Sequence, residues 1–129
     1  MTKSSRITHL ALVSADNTLE VEIDGQRTIA LDAEFLRVHS PSAEVRGHGV
    51  DEGTLQTGKR FVKLTAVEPV GRYGVKLVYD DGHNTGIYTW DTLIHYATHH
   101  DSLWQSYLER LEQAGASREP ANAVKWIPK

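Results

Sequence analysis

Leu19-Glu20-Val21-Glu22-Ile23-Asp24-Gly25-Gln26-Arg27-Thr28-Ile29-Ala30-Leu31 reads as a β-hairpin. Leu19, Val21 and Ile23 alternate with two glutamates, the period of a strand with one face buried and one wet. Asp24-Gly25 supplies the turn, and Arg27–Leu31 is the returning strand. Upstream, Ile7–Val13 alternates less regularly and is joined by the turn chemistry of Ala15-Asp16-Asn17. The opening is therefore an antiparallel meander of three strands.

Downstream, the alternation stops at Asp32, a helix cap placed before Ala33-Glu34-Phe35-Leu36. The spacing predicts a turn or two of helix, ended by Pro41. Gly47 to Lys59 is glycine-rich and polar, the composition of a loop. Strand patterns return at Phe61–Val67, with a turn at Pro69-Val70-Gly71. Tyr73, Val75, Leu77 and Tyr79 mark a full strand, Asp80-Asp81-Gly82 a second turn, and Gly86-Ile87-Tyr88 a short return.

From Trp90 the period becomes helical, with Leu93, Ala97, His100, Trp104, Leu108 and Leu111 on one face. Thr89 or Asp91 caps the start. Asp101 is placed to cap a second helix if the chain breaks near His99-His100, and Gly115 is a stop. Strands first and helices last predict an α+β domain, a small antiparallel β-sheet with C-terminal helices packed on one face. It spans residues 1–115, followed by a flexible tail, residues 116–129.

The 129 residues suit one domain and suffice for a hydrophobic core. The chain has no cysteine, which excludes disulfides, thiolate metal sites and cysteine nucleophiles and fits the cytoplasm. Neither a signal peptide nor a membrane-spanning run is expected. The net charge is -3, and the basic residues are dispersed among acids, which argues against nucleic acid as a partner.

Four segments together resemble one family. They are Leu36-Arg37 with Ser40-Pro41-Ser42-Ala43-Glu44-Val45-Arg46-Gly47-His48, then Val70-Gly71-Arg72-Tyr73, then Asp81-Gly82-His83-Asn84-Thr85-Gly86-Ile87-Tyr88-Thr89-Trp90, then Leu103-Trp104-Gln105-Ser106-Tyr107-Leu108. The chain is similar here to the γ-butyrobetaine hydroxylase-like N-terminal domain, in its stand-alone bacterial form. The Asp81–Trp90 segment is the most specific of the four. Such domains precede the catalytic domain of carnitine-pathway oxygenases and are fused to some iron–sulfur scaffold ATPases. In the oxygenases the resemblance implies a zinc-bound structural and dimerisation module, with ligands from a C-P-C-x-x-C run and a later histidine. In this chain the thiolate positions hold Ser40, Ser42 and Val45, and only His83 matches a ligand. One imidazole with neutral hydroxyls is not a structural zinc site, so neither a metal nor a cofactor is expected.

His99-His100-Asp101 fits part of a two-histidine, one-carboxylate iron triad, but no histidine follows to complete it. A helix break is the simpler reading. His95 and His99 share a helix face that reads as solvated. Trp90, Trp104, Tyr107 and Leu111 read as core, while Trp126-Ile127 docks either on the domain or on a partner. His39, His48, Asp81 and His83 lie on loops at sheet ends, where function concentrates.

The expected binding face is Arg37, His39, Ser40, Ser42, His48, Asp81, His83 and Tyr88, with no catalytic residue. The leading expectation is a non-enzymatic binding or assembly module for a protein partner, such as an oxygenase or an iron–sulfur scaffold. It would be a monomer or a weak homodimer. The alternatives are a metal- or small-ligand-binding protein using His83 with His39, His48 or Asp81, and a small enzyme.

Overall fold

The computed structural model describes residues 5–41 and 55–120. Strands β1 (Ile7–Val13), β2 (Thr18–Ile23) and β3 (Arg27–Asp32) form an antiparallel sheet in the order β1-β2-β3. Its register sets Leu12 opposite Leu19 and Leu19 opposite Leu31. Leu19, Val21, Ile23 and Leu31 are fully buried, the outcome that the alternation requires when one face meets the core. Asp24 and Gly25 both take left-handed backbone at the β2–β3 turn.

Helix α1 (Ala33–Val38) follows at once, its first turn capped by the Asp32 carboxylate, which accepts from the Phe35 amide at 2.7 Å. Every residue of α1 is buried, including Glu34 and Arg37. It is short, so tertiary packing rather than propensity holds it.

Strands β4 (Leu64–Val70), β5 (Gly74–Tyr79) and β6 (Ile87–Thr89) form a second antiparallel sheet, again in sequence order. The domain is α+β with antiparallel strands, as expected, and the strands are divided between two sheets. Asn17 joins them: its side chain donates to Val62 O and accepts from the Leu64 amide, both at 2.9 Å. Phe61 lies before β4 and is exposed, so the strand starts later than its alternation suggests. Pro69 and Val70, read as a turn, belong to β4. β4 is an edge strand, where a proline is tolerated. Tyr73 likewise precedes β5, which begins at Gly74. A Cβ at Gly74 would come within 2.0 Å of Tyr88 O, so β5 and β6 approach too closely for any other residue.

Helices α2 (Trp90–Thr98) and α3 (His100–Ala114) are separated by a break at His99. Thr89 caps α2 by accepting from the Thr92 amide at 3.1 Å, and Gly115, at φ 65°, ends α3. Asp101 does not cap α3. It is the second residue of the helix and pairs with His100, because the cap position falls at His99, two residues earlier than a cap at Asp101 needs. Helix α2 packs against β2, β3 and β6 and so closes the core between the sheets, through Leu93 and Ala97. A smaller cluster, Val38, Tyr107 and Leu111, joins α1 to α3. Among the described residues no helix is long and apolar enough to cross a membrane.

Candidate functional site

The C-terminal end of α1 meets the β5–β6 connection, and five of the expected face residues come together there: Arg37, Ser40, Asp81, His83 and Tyr88. The connection is shaped by its own side chains. Asp81 Oδ1 accepts from the His83 amide at 3.0 Å, and the Tyr79 amide donates to His83 O at 3.0 Å. Gly82 takes a positive φ of 93°, which a residue with a Cβ adopts only under strain.

Asp81 Oδ2 accepts from Arg37 Nε at 2.9 Å and from Lys59 Nζ at 2.8 Å. Partial burial alone would raise the pKa of this carboxyl group. The Lys59 ammonium, the His83 amide and the Arg37 guanidinium together outweigh that and lower the Asp81 pKa to about 2. His83 Nε2 lies 2.9 Å from Ser40 Oγ, in a hydrogen bond whose direction follows the imidazole tautomer. Burial, followed by the Arg37 charge, lowers the His83 pKa, and Asp81 only partly opposes them. The imidazole is therefore neutral at pH 7.

Tyr88, on the inner face of β6, donates its hydroxyl proton to Leu36 O at 2.6 Å. With that proton committed, Tyr79 is the donor in the 2.8 Å bond between the two phenols. Burial pushes the Tyr88 pKa up to about 12 and that of Tyr79 well above its usual value. Neither phenol ionises near neutrality, so the pair acts as a fixed hydrogen-bonded pin between β5, β6 and α1.

A hydroxyl beside a neutral imidazole has the parts of a nucleophile and base. Ser40, however, is fully buried, and an electrophile must reach the oxygen it reacts with. The donors at this corner also do not fit a structural zinc: Ser40 and His83 spend their facing atoms on each other, and the chain has no thiolate to add. Among the described residues no group of three or more His, Asp or Glu side chains converges as a metal site.

His39 is placed in an aromatic cluster, its ring 4.4 Å from that of Phe35 and 5.7 Å from that of Tyr96, with Nδ1 donating to Phe35 O at 2.8 Å. Ser42, Val45 and His48 lie outside the described residues, as does Trp126. His95 and His99 are exposed with ring centres 4.8 Å apart, while His100 turns inward onto Phe35 at 4.5 Å. A cleft of about 490 Å³ lies between β1 and the start of α2, lined by Arg6, His9, Trp90 and Ile94 among others, and shares no lining residue with the corner.

Sequence reasoning missed Lys59, Gln56 and Tyr79 at this corner. Gln56 accepts from Arg37 Nη1 at 3.4 Å. Lys59 and Gln56 fall in a stretch read as loop, with no local signal of their long-range partners. Tyr79 did carry a signal: a tyrosine on the apolar face of a strand needs a partner for its hydroxyl.

The family described as "Gamma-butyrobetaine hydroxylase-like, N-terminal" matches residues 10–94. A protein solved by solution NMR is 47% identical over 98% of this chain and all of its own, with a TM-score of 0.79. A second NMR structure is 42% identical over 93% of this chain and 92% of its own, at 0.75. A crystal structure from Acidithiobacillus ferrooxidans, of a protein of unknown function in domain-of-unknown-function family 971, is 35% identical over 68% of this chain and 88% of its own, at 0.55. No curated protein matches the chain.

Proposed function

The chain belongs to the γ-butyrobetaine hydroxylase-like N-terminal family, and on that premise we propose that it is a non-enzymatic binding or assembly module. Its partner is a protein, an oxygenase or an iron–sulfur scaffold supplied in trans, and its compartment is the cytoplasm. The absence of cysteine supports that compartment. The binding face is built on the corner of Arg37, Ser40, Asp81, His83 and Tyr88, with His39 of the adjoining aromatic cluster; Ser42 and His48, also expected on it, lie outside the described residues.

The observation that carries this reading is the bridge between Ser40 and His83, 2.9 Å long and spanning 43 residues of sequence. It ties the end of α1 to the β5–β6 connection from beneath, through protein groups alone. A polar surface restrained in this way suits recognition, because little side-chain freedom is lost on binding.

The test is a pull-down from native lysate with the wild-type chain and with a folded His83→Ala variant. The expected result is a protein retained by the first and lost by the second. Retention by both removes the corner from the interface. One tightly held zinc per chain in elemental analysis, with unfolding by chelator, overturns the metal-free clasp. Succinate release with iron and 2-oxoglutarate, abolished by His99→Ala, overturns the non-enzymatic reading.

A further inference from the structure

At the other end of α1 a second buried charge meets a partner from far along the chain. The Glu34 carboxylate is 7% exposed and accepts a fork from Arg118, Nε to Oε2 at 2.8 Å and Nη2 to Oε1 at 2.7 Å. The guanidinium carbon also stands 5.1 Å from the centre of the Trp104 ring. One edge of the guanidinium is thus met by a carboxylate that neutralises it, and its face by an aromatic ring.

Among the described residues, the other attachments of the segment that carries Arg118 are main-chain bonds, the packing of Ala116 and a surface ion pair. The segment leaves α3 at Gly115 and runs beside residues 58–60. Ser117 O accepts from the Gly58 amide and Arg118 O from the Arg60 amide, each at 3.0 Å. Glu119 pairs with Arg60 on the surface, where an ion pair contributes little. Residues 116–120, the start of the expected tail, are thus held by the packing of Ala116 on the cluster of Val38, Tyr107 and Leu111, by two main-chain bonds and by the buried fork of one side chain, Arg118. If that side chain lifts, a buried carboxylate is left without its counter-charge, which strongly favours any guanidinium that can replace it.

We propose that Glu34, Trp104 and the main-chain edge of residues 58–60 form an arginine-reading groove that Arg118 fills in cis, and that an extended arginine-bearing segment of a protein partner fills in exchange. The main-chain edge reads an extended backbone, and the carboxylate and indole read the side chain, as in strand-addition recognition. The groove meets the Ser40–His83 corner only at Lys59, whose main chain lies in the groove's edge while its side chain pairs with Asp81, so the carboxylate and indole that read arginine stand whether or not that face binds a partner. The cis segment raises the threshold for binding, since a tethered competitor acts at an effective concentration of about 1 mM.

The test uses the full chain and the peptide acetyl-Ala-Ser-Arg-Glu-Pro-amide, the sequence of residues 116–120. Arg118→Ala is titrated with the peptide while the Trp104 indole amide is followed by NMR and the unfolding temperature is recorded. Saturable binding and a raised unfolding temperature are expected. The Lys-for-Arg peptide should bind roughly tenfold more weakly, because an ammonium cannot make the fork. Glu34→Gln in the Arg118→Ala background should abolish binding. A folded Arg118→Ala chain that ignores the peptide, or equal binding with and without Glu34→Gln, overturns the proposal. A concentration-dependent dimer of the wild-type chain that Arg118→Ala abolishes gives the groove to a second copy and overturns the foreign partner. If Arg118→Ala does not fold, amide exchange in the wild type decides. The Arg60 amide must exchange faster than the amides of β5, and equal protection means that the segment does not open.

Discussion

The two sheets have the same topology and different interiors. The sheet of β1, β2 and β3 faces the core with aliphatic side chains, Leu19, Val21, Ile23 and Leu31, and forms no polar bond on that face beyond its ladder. The sheet of β4, β5 and β6 faces the same core with Tyr79 and Tyr88 beside Val75 and Leu77; Tyr79 bonds to Tyr88, and Tyr88 reaches Leu36 O. The first sheet is a platform whose stability depends on area. The second depends on placed hydrogen bonds, and so fixes where α1 and the β5–β6 connection meet. Polar groups inside a core constrain geometry more tightly than aliphatic contacts do, because an unpaired one is costly. The candidate site stands on the sheet that has them.

The largest expected effect tests the platform. Leu19→Ala should cost about 3 kcal/mol in denaturant unfolding, the transfer and cavity terms of a buried leucine. A loss smaller than that from the phenol pin would break the comparison. Tyr88→Phe should cost about 2 kcal/mol, since it leaves the Leu36 carbonyl and the Tyr79 hydroxyl without their partner. Adding Tyr79→Phe should recover part of that loss, which a purely apolar interface would not show.

Asp81→Asn is expected to matter less, about 1 kcal/mol after solvent screening. Its carboxyl pKa is about 2 in the fold and 3.8 ordinarily, so its contribution is present above pH 3.8 and is lost as pH falls towards 2. Acid titration of stability should show that loss in the wild type and a flatter limb in the variant. The smallest effect belongs to His83. Its pKa lies below the ordinary 6.5, so the unfolded chain binds the proton first, and stability is complete above 6.5 and declines as pH falls below it. His83→Gln should flatten that slope, and an unchanged slope would detach the imidazole from the clasp.

The meander, the hairpin turn at Asp24-Gly25, the cap at Thr89 and the stop at Gly115 were legible because each depends on residues near in sequence. Phe61 and Tyr73 misled, since an alternating residue just outside a strand carries the same period as one inside it. Pro69 misled because a proline signals a turn unless the strand lies at an edge, and edge position is a tertiary fact. At the site, Arg37, Ser40, Asp81, His83 and Tyr88 were named through a family resemblance, and Asp81 and His83 also through their loop positions. Lys59 and Gln56 were not, and neither was the fork between Glu34 and Arg118, 84 residues apart.

By itself the sequence determined the α+β order of elements, the faces that turn inward and the absence of any thiolate chemistry. Periodicity, turn residues and composition are local or global sums that need no coordinates. Only the tertiary structure decided that the strands form two sheets pinned by Asn17, that both charges of a six-residue helix are buried and paired, and that His83 meets Ser40. Those outcomes depend on which desolvated polar group finds which partner, and the chain encodes that only through the packing of everything between them.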